Sequence, residues 1–263
     1  MLSMRTIAVV IEYDGTDFAG FQIQRGKRTV QAEICQAVQK ITQEKVSVVG
    51  ASRTDAGAHA TGQVVHFRTN CRIPVERVPA ALNSVLPRDI AARWAWEADE
   101  SFHARYSARS RVYRYTVWNH PVRSALMERY AYRVSQPLNI EAMQEATVYL
   151  VGKHDFAAFA SEVKRYRNTL REVYSAQLRA RPPLVWLRIE ADGFLQGMVR
   201  AIMGTLIEVG LGKRAPETMV QLLQSGTRQK AGFNVPAHGL CLVRVNYDRS
   251  AILRSEQQAG KGL

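Results

Sequence analysis

The order of hydrophobic patterns in the first hundred residues is the feature that most constrains the fold. Residues 7–13 alternate as on a half-buried strand, and apolar residues at helical spacing follow from Val30, with Thr29 as the expected N-cap. Six elements are predicted in chain order: a strand at 7–13, a helix at 30–41, strands at 46–51 and 64–67, a helix at 74–85 and a strand at 90–96. The order β-α-β-β-α-β is that of the ferredoxin-like split β-α-β unit.

A second α+β half is predicted from residue 107 onward. Its elements are a strand at 110–118, a helix at 140–151, strands at 168–179 and 184–191 around an Arg-Pro-Pro turn, helices at 194–211 and 216–224, and a strand at 240–245. We therefore expect an α+β protein with domains at 1–106 and 107–248, a mobile tail at 249–263, a mostly antiparallel sheet and a basic cleft between two ferredoxin-like or RRM-like halves.

Composition narrows the class of partner. The 263 residues carry a formal net charge of +13, which favours a polyanionic partner such as a nucleic acid, although anionic membranes and acidic proteins remain alternatives. The three cysteines lie far apart and form no C-x-x-C pair, and no signal peptide or membrane span is evident, so we expect a cytoplasmic protein. The six histidines lack metal-ligand spacing, and no phosphate-binding glycine motif occurs, so neither a metal nor a nucleotide cofactor is expected.

The densest polar segment is SRTDAGAH, residues 52–59, which follows a short apolar strand. Arg53 and Asp55 would share a face if the extended conformation continued, and a neighbouring arginine keeps a carboxylate ionised. That suits a nucleophilic carboxylate, whereas an ordinary turn with an arginine salt bridge is the simpler interpretation.

Two further segments could contact RNA. The strand around Tyr113 and Tyr115 interleaves aromatics with Arg111 and Arg114, a pattern that can stack bases and hold phosphates, or place one tyrosine face in the core. On the helical wheel of residues 194–211, Arg200 falls opposite the apolar stripe, so it points into either solvent or a cleft.

Eight segments, read in order, carry a resemblance that covers residues 7–247. They are YDGTDFAGFQIQ (13–24), RTVQAEI (28–34), SRTDAGAHATGQVVHF (52–67), ALNSVLP (81–87), SFHARYSARSRVYRYTVWN (101–119), GKHDFAAF (152–159), GFLQGMVRAIMGTLIEVGLG (193–212) and PAHGLCLVRV (236–245). Together they resemble the TruA family of tRNA pseudouridine synthases.

The resemblance implies a function and a set of site residues. The family converts uridine to pseudouridine at positions 38, 39 and 40 in the anticodon arm of tRNA, without a cofactor or metal, and its members are homodimers in which one tRNA contacts both subunits. Asp55 matches the family's catalytic carboxylate and Arg53 the arginine that assists base flipping. Tyr113 matches the tyrosine that stacks on the target base, and Arg200 the basic residue that pairs with the aspartate. His59 and Leu195 are expected to contact substrate as well.

The chain departs from the family pattern at a few positions. Phe21, Ser52 and Ala58 replace the usual Trp, Gly and Val, and Gly193 and Gly197 stand where polar residues are usual. Two other functions compete with the resemblance. One is a non-catalytic RNA-binding protein, which has no use for an ionised carboxylate in a basic cleft, and the other is a hydrolase that uses Asp55 and His59 as an acid–base pair.

Overall fold

A computed structural model describes residues 4–225, 228 and 231–248. They form two compact units: unit 1 extends to Arg109 and resumes at Leu242, and unit 2 is Ser110–Cys241. The predicted domain limits, 1–106 and 107–248, differ from these units mainly at the C-terminal strand, most of which groups with unit 1. The predicted tail, 249–263, lies outside the described residues.

The helices and strands follow one another in a single order. They are β1 (Arg5–Tyr13), α1 (Val30–Thr42), β2 (Val49–Gly50), β3 (His59–Thr69), α2 (Val78–Asn83), β4 (Ile90–Ala98), β5 (Ala108–Asn119), β6 (Tyr132–Val134), α3 (Ile140–Val148), β7 (Gly152–Asp155), β8 (Leu170–Arg181), β9 (Leu184–Ala191), α4 (Met198–Gly210), α5 (Thr218–Ser225) and β10 (Leu240–Tyr247).

Unit 1 contains the split β-α-β that the first hundred residues predict. Its strands lie in the order β4-β1-β3-β2, with antiparallel neighbours, and β10 also pairs with β3. The predicted strand at 46–51 is shorter than expected, since only Val49 and Gly50 pair with β3. Just upstream, the carboxylate of Glu44 accepts hydrogen bonds from Thr69 Oγ1 and the Asn70 amide, so side-chain bonds hold the chain there.

The core of unit 1 lies between the sheet and α1. Val30, Ile34 and Val38 of α1 are at most 1% exposed, as are Ile7 and Val9 of β1. The predicted helix start is confirmed, and Thr29 occupies the N-cap position, but its buried hydroxyl makes no capping bond and has no hydrogen-bond partner among the described residues. The apolar face of α1 therefore holds this helix in place without help from the cap.

Unit 2 is also an α+β unit. Its strands lie in the antiparallel order β5-β9-β8-β7, and the short β6 runs parallel to β5. The hairpin of β8 and β9 turns at Pro182–Pro183, as the Arg-Pro-Pro sequence predicts. In the part of the chain that the structure describes, no helix is long and apolar enough to cross a membrane.

Helix α4 differs from its prediction in two ways. It begins at Met198, not at 194, because Gly197 has a left-handed backbone (φ 77°) and Leu195 C=O accepts the Met198 N–H in a turn. It is also buried nearly all round, with only Arg200 and Glu208 half-buried. The predicted apolar stripe therefore underestimates how much of this helix is packed.

The close packing of α4 predicts that a side chain at Gly204 destabilises the protein. A Cβ there would lie 1.9 Å from the carbonyl oxygen of Phe233. Gly→Ala inside a helix normally stabilises by about 0.5–1 kcal/mol, but overpacking costs about 1–3 kcal/mol. Gly204→Ala should therefore lower the Tm by several degrees, at about 2–4 °C per kcal/mol in a chain of this size.

The matched control is Gln36→Ala at an exposed position of α1, which should leave the Tm nearly unchanged. Thermal unfolding followed by circular dichroism measures both variants. A Tm of Gly204→Ala at or above that of the unsubstituted protein would show that α4 is not packed against residue 233.

Candidate active site

Hydrogen bonds to β3 hold Ala51 and Ser52, the residues that lead into the Asp55 loop. Ala51 N–H donates to Val64 C=O at 2.8 Å, which is the last ladder contact before the loop. The fully buried side chain of Gln63 then binds Ser52 twice, donating to its carbonyl at 2.7 Å and accepting its amide at 3.2 Å. A buried glutamine of β3 thus replaces the missing strand neighbour of Ser52.

A tight turn presents Asp55. Ala58 N–H donates to Asp55 C=O at 3.1 Å, and Gly57 has φ 79° at the third position, as in a type II turn. Asp55 is half-buried, Ala56 is exposed and Ala58 is buried. The turn therefore places the carboxylate at the boundary between protein and solvent.

A glycine loop, residues 14–28, packs directly against the Asp55 loop, residues 52–58. A Cβ on Gly15 would lie 1.9 Å from Ala58 O, and one on Gly20 would lie 2.9 Å from Thr54 O. Gly20 also has φ 95°, which L side chains rarely adopt. The glycines of the DGTDFAG segment are therefore needed because the two backbones touch.

Hydrogen bonds join these two loops. Phe21 N–H donates to Thr54 C=O at 3.1 Å, and Gly57 N–H donates to Phe18 C=O at 3.3 Å. At the end of β1, the buried hydroxyls of Tyr13 and Thr54 share a hydrogen bond of 2.7 Å. Thr54, directly before Asp55, and Gly57, two residues after it, are therefore tied to the glycine loop and to β1.

His59 belongs to the same framework. It is 6% exposed, and its Nδ1 accepts the Gly15 N–H at 3.0 Å. Asp14 Oδ1 lies 3.2 Å from the same nitrogen. The structure thus gives His59 a role in holding the glycine loop, which weakens the acid–base pair of the hydrolase hypothesis. Its contact with substrate stays a prediction.

Arg28 fastens the far end of the glycine loop. Its guanidinium donates two hydrogen bonds to Asp89, at 2.7 and 2.9 Å, and one to Glu33 at 3.2 Å. It also lies 4.1 Å from the centroid of the Phe18 ring. The hydrogen bond to Asp89 raises the pKa of Arg28, so the cation is stabilised where the loop leads into α1.

Arg53 is exposed, whereas Asp55 is half-buried. Residues 53–55 lie outside the strands, so the extended conformation that would have placed both side chains on one face does not continue as strand. The role of Arg53 toward the carboxylate stays a prediction.

In unit 2, Tyr113 and Tyr115 lie on one face of β5 and are 5% and 0% exposed. Tyr113 meets Phe194 edge to face, with ring centroids 4.9 Å apart. Tyr115 donates its hydroxyl to Pro236 C=O at 2.7 Å, and burial raises its pKa well above the ordinary value. Tyr115 is therefore a core residue, and base stacking by Tyr113 stays a prediction.

Arg200 and Leu195 flank the start of α4. Arg200 is half-buried, and its Nε donates to Val235 C=O at 2.7 Å, so part of its guanidinium holds the 235–236 segment of its own unit. Leu195 is 3% exposed and accepts the turn bond from Met198. Their contacts with substrate are predictions that this geometry leaves untested.

Three of the departures from the family pattern, at Phe21, Ala58 and Gly197, have local explanations. Phe21 is 2% exposed, and its ring fills the space beside Gly50, where a Cβ would lie 2.3 Å from the ring. Ala58 is buried directly beneath Gly15. At Gly197, a Cβ would meet Ser161 Oγ at 2.1 Å, so a side chain there would need Ser161 to move.

Sequence reasoning missed the residues that hold the Asp55 loop. The sequence pattern predicts only that Tyr13 is a strand residue, and it includes Gln63 and the glycine loop only within segments that resemble the family. The available signals of close backbone contact were a glutamine directly before two valines and the glycines that precede Phe18 and Phe21.

Comparison with known proteins assigns the chain to a family. A family model described as tRNA pseudouridine synthase matches residues 9–107 and 146–248. The chain is 45% identical to tRNA pseudouridine synthase A of Thermoanaerobacter sp. over 244 residues, which is 93% of this chain and 100% of the relative. It is 45% identical to that of Moorella thermoacetica over 246 residues and 44% identical to that of Brevibacillus brevis over 244, with the same shares covered.

The matched residues include the glycine loop, the Asp55 loop, Arg200 and the strands and helices that hold them. The family model and the relatives agree with the resemblance that the eight segments carry. This chain therefore belongs to the tRNA pseudouridine synthase family.

Proposed function

We propose that the protein isomerises uridine to pseudouridine at positions 38, 39 and 40 of tRNA, with Asp55 as its catalytic carboxylate. The observation that carries the proposal is the held loop: a half-buried aspartate stands on a turn whose flanking residues are bonded to the core of unit 1. The three positions come from the resemblance to the family.

The reaction requires a carboxylate held in position and a target base that has left its stack. The N1–C1′ bond breaks, the uracil turns, a C5–C1′ bond forms, the C5 proton passes to solvent, and N1 takes up a proton. No electrons enter or leave, and no water is consumed. A carboxylate can serve by bonding C1′, by bonding the base, or by removing the C2′ proton.

Flipping the uridine out of its stack costs a few kcal/mol, and residues that bind the flipped base offset part of that cost. Tyr113 is proposed to stack on the target base and Arg53 to assist flipping. Arg200, Leu195 and His59 are proposed as further substrate contacts. These assignments rest on the resemblance, residue by residue.

The charge of the chain supports RNA as the partner. A net charge of +13 favours contact with the phosphates along the anticodon stem-loop and body of a tRNA. By resemblance, we propose that the enzyme works as a homodimer in the cytoplasm and needs neither a cofactor nor a metal.

Replacing the carboxylate tests the proposal. Asp55→Asn should lower turnover below about one per cent of the unsubstituted enzyme, because the amide is nearly isosteric but neither nucleophilic nor basic. The affinity for tRNA should change little. Turnover is measured as tritium release from a tRNA transcript labelled at uridine C5, and affinity by filter binding.

The matched control is Asp17→Asn, which removes the same charge from an exposed position of the neighbouring glycine loop and should keep full turnover. Substantial tritium release by Asp55→Asn would exclude an essential carboxylate. No release by the unsubstituted enzyme, despite tight binding, would favour the non-catalytic RNA-binding protein.

Two substitutions of Tyr113 distinguish base stacking from proton transfer by its hydroxyl. Tyr113→Phe keeps the ring and its contact with Phe194, so it should retain most of the turnover, whereas Tyr113→Leu should lose about tenfold or more because stacking is lost. Single-turnover tritium release measures both, and thermal unfolding checks that each variant is folded. If the two variants are equally inactive, the hydroxyl takes part in the chemistry and the stacking account is wrong.

A further inference from the structure

Unit 1 contains a pocket of about 580 Å³ whose lining residues include none from the Asp55 loop. Its walls are formed by β3, by the segment before β2 and by the turn that begins at Ser101. His66, in the β3 wall, lies seven residues beyond His59, which ends the SRTDAGAH segment. Since a strand rises about 3.3 Å per residue, His66 is roughly 20 Å from His59, the end of β3 that adjoins the Asp55 loop.

His66 forms a neutral wall of the pocket. It is 7% exposed, and its Nδ1 accepts the Ala104 N–H at 3.2 Å. Burial, with smaller contributions from the nearby His103 and Arg68, lowers the pKa of His66 to about 4. The ring is therefore uncharged at neutral pH, and His103 lies beside it with ring centroids 5.1 Å apart.

An aromatic platform, made of His103, Arg105 and Tyr106, stands at the edge of this pocket. The His103 and Tyr106 rings are stacked 4.3 Å apart at an interplanar angle of 26°. His103 Nδ1 accepts the backbone N–H groups of Arg105 and Tyr106, which fixes the ring orientation. Tyr106 is nevertheless 76% exposed, and the Arg105 guanidinium lies 5.6 Å from its centroid.

Two basic side chains line the pocket at whose edge the platform stands. Lys45 and Arg68 line the pocket and are exposed. The lining carboxylate of Glu44 already accepts hydrogen bonds from Thr69 and Asn70. A ring held in place but open to solvent, with cations beside it, is the arrangement by which proteins stack single-stranded bases and hold their phosphates.

We propose that the aromatic platform binds an unpaired nucleotide of the tRNA substrate, with its base stacked on Tyr106 and its phosphate held by Arg68 and Lys45. This nucleotide differs from the uridine that reacts, because the pocket is too far from Asp55 for one nucleotide to reach both. The proposal rests on the proposed function only in taking tRNA as the RNA.

The test measures binding in the absence of turnover. In full-length Asp55→Asn protein, Tyr106→Ala should weaken filter binding of an unmodified tRNA transcript about fivefold or more, as expected for one lost stacking contact. Tyr106→Phe keeps the ring and should retain most of the affinity. The control Tyr174→Ala removes a half-exposed tyrosine from β8 and should bind as the parent does. With 4-thiouridine in the transcript, a photo-crosslink should map to residues 103–106 and disappear in Tyr106→Ala.

Unchanged affinity of Tyr106→Ala, or equal losses in the Ala and Phe variants, would overturn the platform. A change in the mass of the assembly with unchanged RNA affinity would assign Tyr106 to a protein contact and overturn it as well. Tritium release by the Asp55-containing chain is measured in parallel. Release together with unchanged binding of Tyr106→Ala removes the platform alone, whereas no release together with weakened binding removes the proposed function alone.

Discussion

The close approach of the glycine loop to the Asp55 loop is the constraint on which the candidate site depends. Gly15 and Gly20 let the two backbones touch, and the Tyr13–Thr54 hydrogen bond ties the contact to β1. A loop without these contacts would let the carboxylate sample many positions, and misplacement of a reacting group by about 1 Å can cost about a hundredfold in rate. The surrounding sheet supports this contact, because β1 leads into the glycine loop and β3 follows the Asp55 loop.

Periodicity was sufficient to predict the unit that carries Asp55. The alternation in β1 and the helical spacing in α1 report burial on one face, and the β-α-β-β-α-β order then leaves few topologies. The same reasoning placed Asp55 in a loop after a short strand. It could not show what holds that loop, because Gly20 and Thr54 meet through a tertiary contact that local patterns do not encode.

Helix α4 and β5 show where pattern reasoning fails in unit 2. The wheel placed Arg200 away from an apolar stripe, yet segment 231–235 also packs on the helix, with Gly232 N–H bonded to Thr205 Oγ1 at 2.9 Å and Arg200 Nε bonded to Val235 C=O. The alternation of β5 predicted a shared tyrosine face, but not that Tyr115 would bond Pro236 while Tyr113 meets Phe194. A basic, aromatic-rich strand can line a core or an RNA surface, so residue type alone does not decide between them.

The direct test of the account is whether the loop contact governs the chemical step. Gly20→Ala introduces a Cβ 2.9 Å from Thr54 O, whereas Gly26→Ala introduces one in open space at a similar backbone angle, φ 69°. Single-turnover pseudouridine formation and tRNA affinity are measured for both variants. We expect Gly20→Ala to slow the chemical step about tenfold or more with nearly unchanged affinity, and Gly26→Ala to remain close to the unsubstituted enzyme. Equal rates in the two folded variants would contradict the claim that this contact positions Asp55.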